Sequence, residues 1–146
     1  MRAKMLKDSI KMIIPVKPEY VSVVRLTASS IASRMGFNIE EIDDIKVAIG
    51  EACSNIIMDN TKEDIDIEVE FLLYKDKLTI KIDDSEKNKC DKEINSSSIE
   101  EMKDKELGLF IIKTLMDDVD CMNEEGINKI IMTKEIGVVE NGYRNE

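Results

Sequence analysis

The residues with the clearest chemical potential are Glu51 and Asn55, which lie four positions apart in the stretch IEEIDDIKVAIGEACSNIIMD from Ile39 to Asp59. Side chains four apart on a helix lie one above the other on the same face. A carboxylate can accept a proton from a hydroxyl. A carboxamide oxygen is a hard ligand that suits Mg²⁺, which is usually bound together with phosphate oxygens. The pair therefore suits phosphate chemistry, although a polar pair on a helix is also typical of a solvated surface.

The helix that must position this pair is indicated by an apolar stripe. Six residues recur at spacings of three and four, the period of one helical face: Ile42, Ile45, Ile49, Ala52, Cys53 and Ile56. Glu51 and Asn55 fall on another face. Asn38 is the predicted N-cap because Glu41 follows three residues later, which is the spacing of a capping box.

The composition of the chain bounds its class. A length of 146 residues, with 42% hydrophobic and 36% charged residues, suits one soluble domain with one core. No apolar run could span a membrane and no signal peptide is recognised, so a cytoplasmic protein is expected. The net charge of -10 argues against direct nucleic-acid binding. Three cysteines suit neither a disulfide framework nor a zinc site, and the lack of histidine excludes Ser–His and Cys–His catalysis.

The other elements are predicted from periodicity and turn residues. They are a strand over 10–16, a helix from Pro18 to Gly36, paired strands over 65–74 and 78–84, a helix over 107–116, and a closing hairpin over 119–122 and 127–133. The polar stretch 85–105 is predicted to be a lid or a disordered connection, and the tail 137–146 is expected to fray. One domain is predicted, with its core between about residues 10 and 136. Antiparallel strand pairs with helices over one face predict an α+β, two-layer sandwich.

Several phrases of the sequence give it a resemblance to a known family. IKVAIGEACSNII, LTIKIDD, ELGLFIIKTLMDDV and IIMTK resemble the anti-sigma-factor serine-protein kinases. These are small members of the superfamily that includes histidine kinases, gyrase and the Hsp90 chaperones. The resemblance extends from about Met12 to Lys134. It implies an α/β sandwich of the histidine-kinase-like ATPase type, with a mixed, mostly antiparallel sheet, helices on one face, bound ATP and Mg²⁺, and a homodimer.

The resemblance also implies roles for individual residues. Glu51 would be the general base for a substrate serine, and Asn55 would bind Mg²⁺. Asp84 shares the parity of the apolar residues in its strand, so it would face the helices and accept a hydrogen bond from the adenine amino group. Gly108 would allow close approach to a phosphate at the N-terminus of the helix after the lid.

Three further residues complete the site that the resemblance implies. Thr133 in the closing strand would hydrogen-bond near Asp84 and the adenine. Lys105, which flanks Glu106 together with Lys103 in the sequence, could offset the charge of Glu106 near the phosphates. Arg25, on the first long helix, would contact both the sigma factor and its competing antagonist; the alternative is an exposed arginine with only local contacts.

The sequence departs from the family in its two glycine-rich motifs. Asp84 is followed by SEKN instead of glycines, and the second motif keeps only Gly108, with Glu106 in place of the other glycine. Because glycine permits positive φ and close backbone approach to phosphate, these changes bear directly on nucleotide binding.

Two functions follow. The first is an anti-sigma factor that sequesters an alternative RNA polymerase sigma factor and phosphorylates a serine on a STAS-type anti-sigma-factor antagonist, using ATP and Mg²⁺. The second is a non-catalytic module that sequesters the sigma factor and binds nucleotide weakly or not at all. Retention of Glu51 together with Asn55 favours the enzyme, because a non-catalytic relative has no need of both.

Overall fold

The computed structural model describes residues 6–59, 66–84, 99–124, 127–137, 139–140 and 143–144. A short 3₁₀ turn at Pro18–Tyr20 precedes the first α-helix. The strands and α-helices follow in the order β1 (Leu6–Pro15), α1 (Val21–Met35), α2 (Ile39–Asp59), β2 (Asp66–Tyr74), β3 (Lys77–Asp84), α3 (Ile99–Leu115), β4 (Asp118–Glu124), β5 (Ile127–Glu135), β6 (Val139–Glu140) and β7 (Tyr143–Arg144). No helix in the described residues is long and apolar enough to cross a membrane.

Five strands form one sheet in the order β1-β2-β3-β5-β4. Every neighbouring pair among these strands is antiparallel, so the sheet has no parallel pair of the kind that a mixed sheet would contain. Along β2, Ile67, Val69 and Phe71 are buried, whereas the residues between them are only half-buried. This alternation is the pattern of a strand with one face on the core.

The helices cover one face of the sheet, which confirms the predicted two-layer α+β sandwich. Phe71 and Ile80 from the sheet belong to the same buried cluster as Val24 of α1, Ile49 of α2 and Ile112 of α3. Burying a side chain of this size contributes roughly 1.5–3 kcal/mol, so the shared cluster is what holds the layers together.

The two long helices begin and end where the sequence predicts. Gly36 follows α1 with a φ of 103°, a left-handed conformation that favours glycine. At the start of α2, the Glu41 N–H donates to Asn38 Oδ1 at 2.8 Å, and the Asn38 N–H donates to Glu41 Oε1 at 2.8 Å. This reciprocal capping box fixes the start of α2.

Two segments differ from the prediction. Helix α3 begins at Ile99 rather than at residue 107, so residues 99–105 of the predicted lid are helical, and 85–98 lie outside the described residues. The stretch 99–106, IEEMKDKE, consists mostly of strong helix formers but has too few apolar residues to show a helical stripe. In the tail, β6 and β7 pair antiparallel through their backbones, where fraying was expected.

Candidate functional site

The side chains of Glu51 and Asn55 both lie against one residue of the neighbouring helix, Gly108 of α3. Both are half-buried on α2, and Gly108 of α3 is buried against them. A Cβ placed on Gly108 would lie 3.0 Å from Glu51 Oε1, 3.4 Å from Asn55 Oδ1 and 3.6 Å from Asn55 Nδ2. The carboxylate and the carboxamide therefore face the same small region, and the missing side chain at Gly108 is what lets α3 approach it.

The position of Gly108 within its helix differs from the expectation. It lies in the middle of α3, which runs from Ile99 to Leu115, and not at a helix N-terminus. A backbone N–H in a helix interior is bonded to the carbonyl four residues earlier, and only the first four N–H groups are available to an anion. In this conformation Gly108 supplies close helix packing and not an amide for a phosphate.

Asp84 is a buried carboxylate at the end of β3. It is only 3% exposed, and it shares the helix-facing parity of Ile80 and Ile82, as predicted. The residue has an interaction within the protein. Its Oδ1 atom is enclosed and receives no hydrogen bond from the part of the chain that the structure describes. A carboxylate can accept hydrogen bonds at both oxygens, so a buried Asp84 on the helix-facing side of the sheet fits an amino donor such as that of adenine.

Thr133 does not share a site with Asp84, contrary to the prediction. In the register of β3 with β5, Thr133 pairs with Thr79, whereas Ile80 pairs with Met132. Ile80 and Met132 are fully buried toward the helices, so both threonines project from the other face of the sheet. Their Oγ1 atoms are 3.0 Å apart. Thr133 therefore forms a cross-strand hydroxyl pair on the face of the sheet opposite to Asp84.

Lys105 lies three residues before Gly108, which puts it on the same side of α3. It is half-buried and has an interaction within the protein. Burial lowers the pKa of its ammonium group below the usual value. Glu106, by contrast, is exposed, so water can solvate its charge. A cationic Lys105 on this side of the helix fits a phosphate-binding role.

Arg25 lies against α2 and is half-buried, and its local contact at Gly50 leaves both the partner-binding role and the alternative of a local structural arginine as predictions. A Cβ placed on Gly50 would be 3.3 Å from Arg25 Nη1, so the guanidinium occupies space that any larger residue at position 50 would take. Its charge also acts on Cys53: burial raises the pKa of the Cys53 thiol to about 12, and Arg25 opposes that shift.

Lys134 makes structural contacts that were not predicted from the sequence. Its Nζ donates to Asp44 Oδ2 at 3.1 Å and to the backbone carbonyl of Leu115. The Lys134 side chain is 12% exposed. The sequence did carry a sign of this role, because Lys134 has the inward parity of Met132 in β5, where a charge needs a partner. This one lysine joins β5 to α2 and to the end of α3.

The side chains present fit a magnesium–nucleotide site. Within the described part of the chain, no three His, Cys, Asp or Glu residues are grouped so as to hold a metal ion. Mg²⁺ in nucleotide sites typically needs only one or two protein oxygens, the rest of its shell coming from phosphates and water. Asn55 Oδ1 would supply such an oxygen beside Glu51, and the buried Asp84 would receive the base.

Comparison with known proteins identifies the family. The model of the family described as "Histidine kinase-like ATPase domain" matches residues 14–134. The chain belongs to this family. Among curated members, serine-protein kinase RsbW of a Bacillus cereus strain is 41% identical over 138 residues, which cover 88% of this chain and 86% of that protein. RsbW of Bacillus thuringiensis subsp. konkukian has the same identity and coverage.

The solved structures give an independent comparison of the histidine kinase-like ATPase fold. The crystal structure of the RsbU and RsbW domains of Rv1364c from Mycobacterium tuberculosis superposes with a TM-score of 0.66 at 15% identity, over 88% of this chain and 32% of that longer chain. At this identity the likeness concerns the fold alone. The two chains thus share one overall fold across most of this one.

Proposed function

We propose that this chain is an ATP-dependent serine-protein kinase that also acts as an anti-sigma factor. The observation that carries the proposal is the convergence of Glu51 Oε1 and Asn55 Oδ1 on Gly108, at 3.0 and 3.4 Å from a Cβ at that position. A base and a magnesium ligand in one place are what transfer of a phosphoryl group to a hydroxyl requires. Relatives that are 41% identical and are named serine-protein kinases support the same activity.

In the proposed reaction Glu51 accepts the proton of the substrate serine while the serine oxygen attacks the γ-phosphorus of ATP. The bond between that phosphorus and the bridging oxygen of ADP breaks, and the products are phosphoserine and ADP. Asn55 would hold Mg²⁺, and the ion would supply positive charge to the phosphates. Lys105 adds a positive charge from α3, and Asp84 selects adenine. Little else is needed, because phosphoryl transfer depends mainly on positioning and charge.

The proposed partners are an alternative sigma factor and a STAS-type antagonist, both of which Arg25 would contact in the cytoplasm. We also propose a homodimer formed through β1. This ten-residue strand lies at the edge of the sheet, and its Leu6, Ile10 and Ile13 side chains are exposed. A long edge strand with exposed apolar side chains is a surface that proteins usually cover. Sedimentation of an Ile13→Lys variant, compared with wild type, tests this interface; an unchanged dimer would exclude β1.

The kinase proposal is tested with the Glu51→Gln variant. The amide keeps the size of the side chain but cannot take the proton, so transfer to a STAS-type antagonist should fall by about 10²–10⁴-fold. Binding of Mg·ATP and of the sigma factor should stay within about two-fold, since neither needs a base at this position. Glu40→Gln is the matched control because Glu40 is an exposed glutamate on the same helix. Wild-type transfer rates in Glu51→Gln would remove Glu51 from the mechanism.

The second candidate is a sequestering module without catalysis. It is favoured by the sequence directly after Asp84, because residues 85–88 (SEKN) include no glycine. Calorimetric titration with Mg·ATP separates the two functions. Micromolar binding supports the kinase, and no heat up to millimolar nucleotide supports the module.

A further inference from the structure

The side chain of Lys134 contacts two helices at once. Its Nζ donates to Asp44 Oδ2 of α2 at 3.1 Å and to the backbone carbonyl of Leu115, the last residue of α3. Carbonyls in the last turn of a helix have no partner within the helix, and a cation there is stabilised by the helix dipole. The Lys134 side chain is 12% exposed, so these two acceptors replace most of the water around its ammonium group. Asp44, Lys134 and Leu115 are here named the Lys134 bridge.

The Lys134 bridge lies along the same contact between α2 and α3 as Glu51 and Gly108. Lys134 joins Asp44 to Leu115 at one place on this contact. Gly108 lies against Glu51 at another. Glu51 is seven residues after Asp44 in α2, and Gly108 is seven residues before Leu115 in α3. The two helices therefore run antiparallel, and at 1.5 Å per residue the bridge lies about 10.5 Å, or two helical turns, from the candidate site along both of them.

The backbone on either side of Lys134 is bonded to the residue that follows the last turn of α3. The Asp117 N–H donates to the Thr133 carbonyl at 2.9 Å. The Glu135 N–H donates to Asp117 Oδ2 at 2.6 Å. The backbone position of Lys134 relative to the end of α3 is therefore fixed, and its side chain reaches Asp44 of α2 from a defined point.

We propose that Lys134 is a positioning residue for phosphoryl transfer, because it fixes where α3 lies along α2. This inference rests on the proposed kinase function and adds a residue that acts from two helical turns away. A Cβ placed on Gly108 would lie 3.0 Å from Glu51 Oε1 and 3.4 Å from Asn55 Oδ1, so a small displacement of α3 changes the space open to both side chains. Without the ammonium group, α2 and the end of α3 no longer share a hydrogen-bond donor, and α3 can shift along α2 by a fraction of an ångström.

The experiment removes the ammonium group with Lys134→Met, which keeps an unbranched apolar side chain. A misplacement of about 1 Å can cost about 100-fold in rate, so a shift of about 0.5 Å should lower kcat for transfer to a purified STAS-type antagonist about ten-fold. The KM for the antagonist should stay within two-fold. Lys134→Arg, which restores a cation with several donors, should bring kcat to within about three-fold of wild type.

The control is Lys77→Met. Lys77 is another half-buried lysine of the sheet, and its Nζ lies 4.9 Å from the centre of the Tyr74 ring. This variant should keep the wild-type kcat. All rates are measured well below the lowest melting temperature of the set, so that every variant is folded. A lysine with a purely structural role would lower the melting temperature in Lys134→Met and leave kcat at the wild-type value, which would overturn the proposal.

A double variant tests whether Lys134 acts through the contact of Gly108 with Glu51. If both substitutions displace the same groups, Lys134→Met combined with Gly108→Ala should lower kcat by less than the product of the two separate reductions. Reductions that multiply would mean that Lys134 acts elsewhere, and would overturn the proposal.

A second pair of variants keeps the test decisive if Lys134→Met fails to fold. Asp44→Ala removes the acceptor on α2, where the side chain is 35% exposed, and should lower kcat roughly 3- to 10-fold. Asp43→Ala, at an exposed position on the same helix, should leave kcat unchanged. Wild-type kcat in the folded variants of the bridge would overturn the role of Lys134 and leave the kinase proposal intact. A wild-type protein that phosphorylates no STAS-type antagonist would overturn both proposals.

Discussion

Replacing Gly108 by alanine is predicted to lower the rate of phosphate transfer without lowering the stability of the protein. Gly108 lies in the middle of α3, where alanine is favoured over glycine by about 1 kcal/mol. The new Cβ would lie 3.0 Å from Glu51 Oε1, so the carboxylate has to shift by a few tenths of an ångström. The end of a half-buried, flexible glutamate can make that shift. We therefore predict that Gly108→Ala is as stable as wild type or slightly more stable.

The same displacement should lower activity. Misplacing a catalytic group by about 1 Å can reduce a rate about 100-fold, so a shift of a few tenths should reduce phosphate transfer roughly 3- to 10-fold. The methyl group would also face Asn55 Oδ1 at 3.4 Å, where Mg²⁺ is proposed to bind. Activity should fall even though the melting temperature stays level or rises by up to about 4 °C.

The assay combines thermal unfolding, Mg·ATP calorimetry and transfer of labelled phosphate to an antagonist. Gly50→Ala is the control for the first two readouts, because it makes the same substitution in a helix but its Cβ contacts Arg25 at 3.3 Å instead of Glu51. Its Mg·ATP affinity should match wild type. Full transfer rates in a stably folded Gly108→Ala protein would refute the placement of the reactive groups beside α3.

Two other predictions concern stability. Asn38→Ala removes the side-chain acceptor of the α2 capping box and should lower the free energy of unfolding by about 1 kcal/mol in urea titrations; a loss below about 0.3 kcal/mol would mean that the hydrogen bonds seen at 2.8 Å contribute little. Burial raises the pKa of Cys53 from 9.0 to about 12, so above pH 9 the unfolded state loses the thiol proton while the folded state keeps it. Because of this residue, the free energy of unfolding should fall with rising pH by at most about 1.4 kcal/mol per pH unit, with no effect below pH 8. In urea titrations, the free energy of unfolding of Cys53→Ala should fall less steeply than that of wild type between pH 9 and 11.

The sequence was most informative where a side-chain pattern is set by one element alone. The Ile39–Asp59 helix, its Asn38 cap and the inward parity of Asp84 each follow from spacing within a single stretch, and the structure agrees with all three. Thr133 was predicted to lie near Asp84, although the alternation of side chains along its strand indicates the opposite face of the sheet. It alternates with the apolar Met132, which faces the helices, so Thr133 had to face away.

Other features depend on contacts between elements, which one sequence does not display. Gly108 approaches Glu51 only because α3 packs on α2. Arg25 lies beside Gly50 only because α1 also packs on α2. The early start of α3 at Ile99 depends on helix propensity without an apolar stripe, and periodicity does not detect such a segment.

The contacts of Lys134 hold the C-terminal end of α3, so a rotation of the helix about that end would move its N-terminal end the most. Lys134 ties the carbonyl of Leu115, the last residue of α3, to the sheet and to Asp44. From Leu115 to Ile99 the helix is about 24 Å long at 1.5 Å per residue. A rotation of about 10° about the tied end would move Ile99 by about 4 Å but would move Gly108, nearer the pivot, by less than half as much. Small adjustments beside Glu51 and Asn55 would thus be larger at Ile99, the far end of the helix.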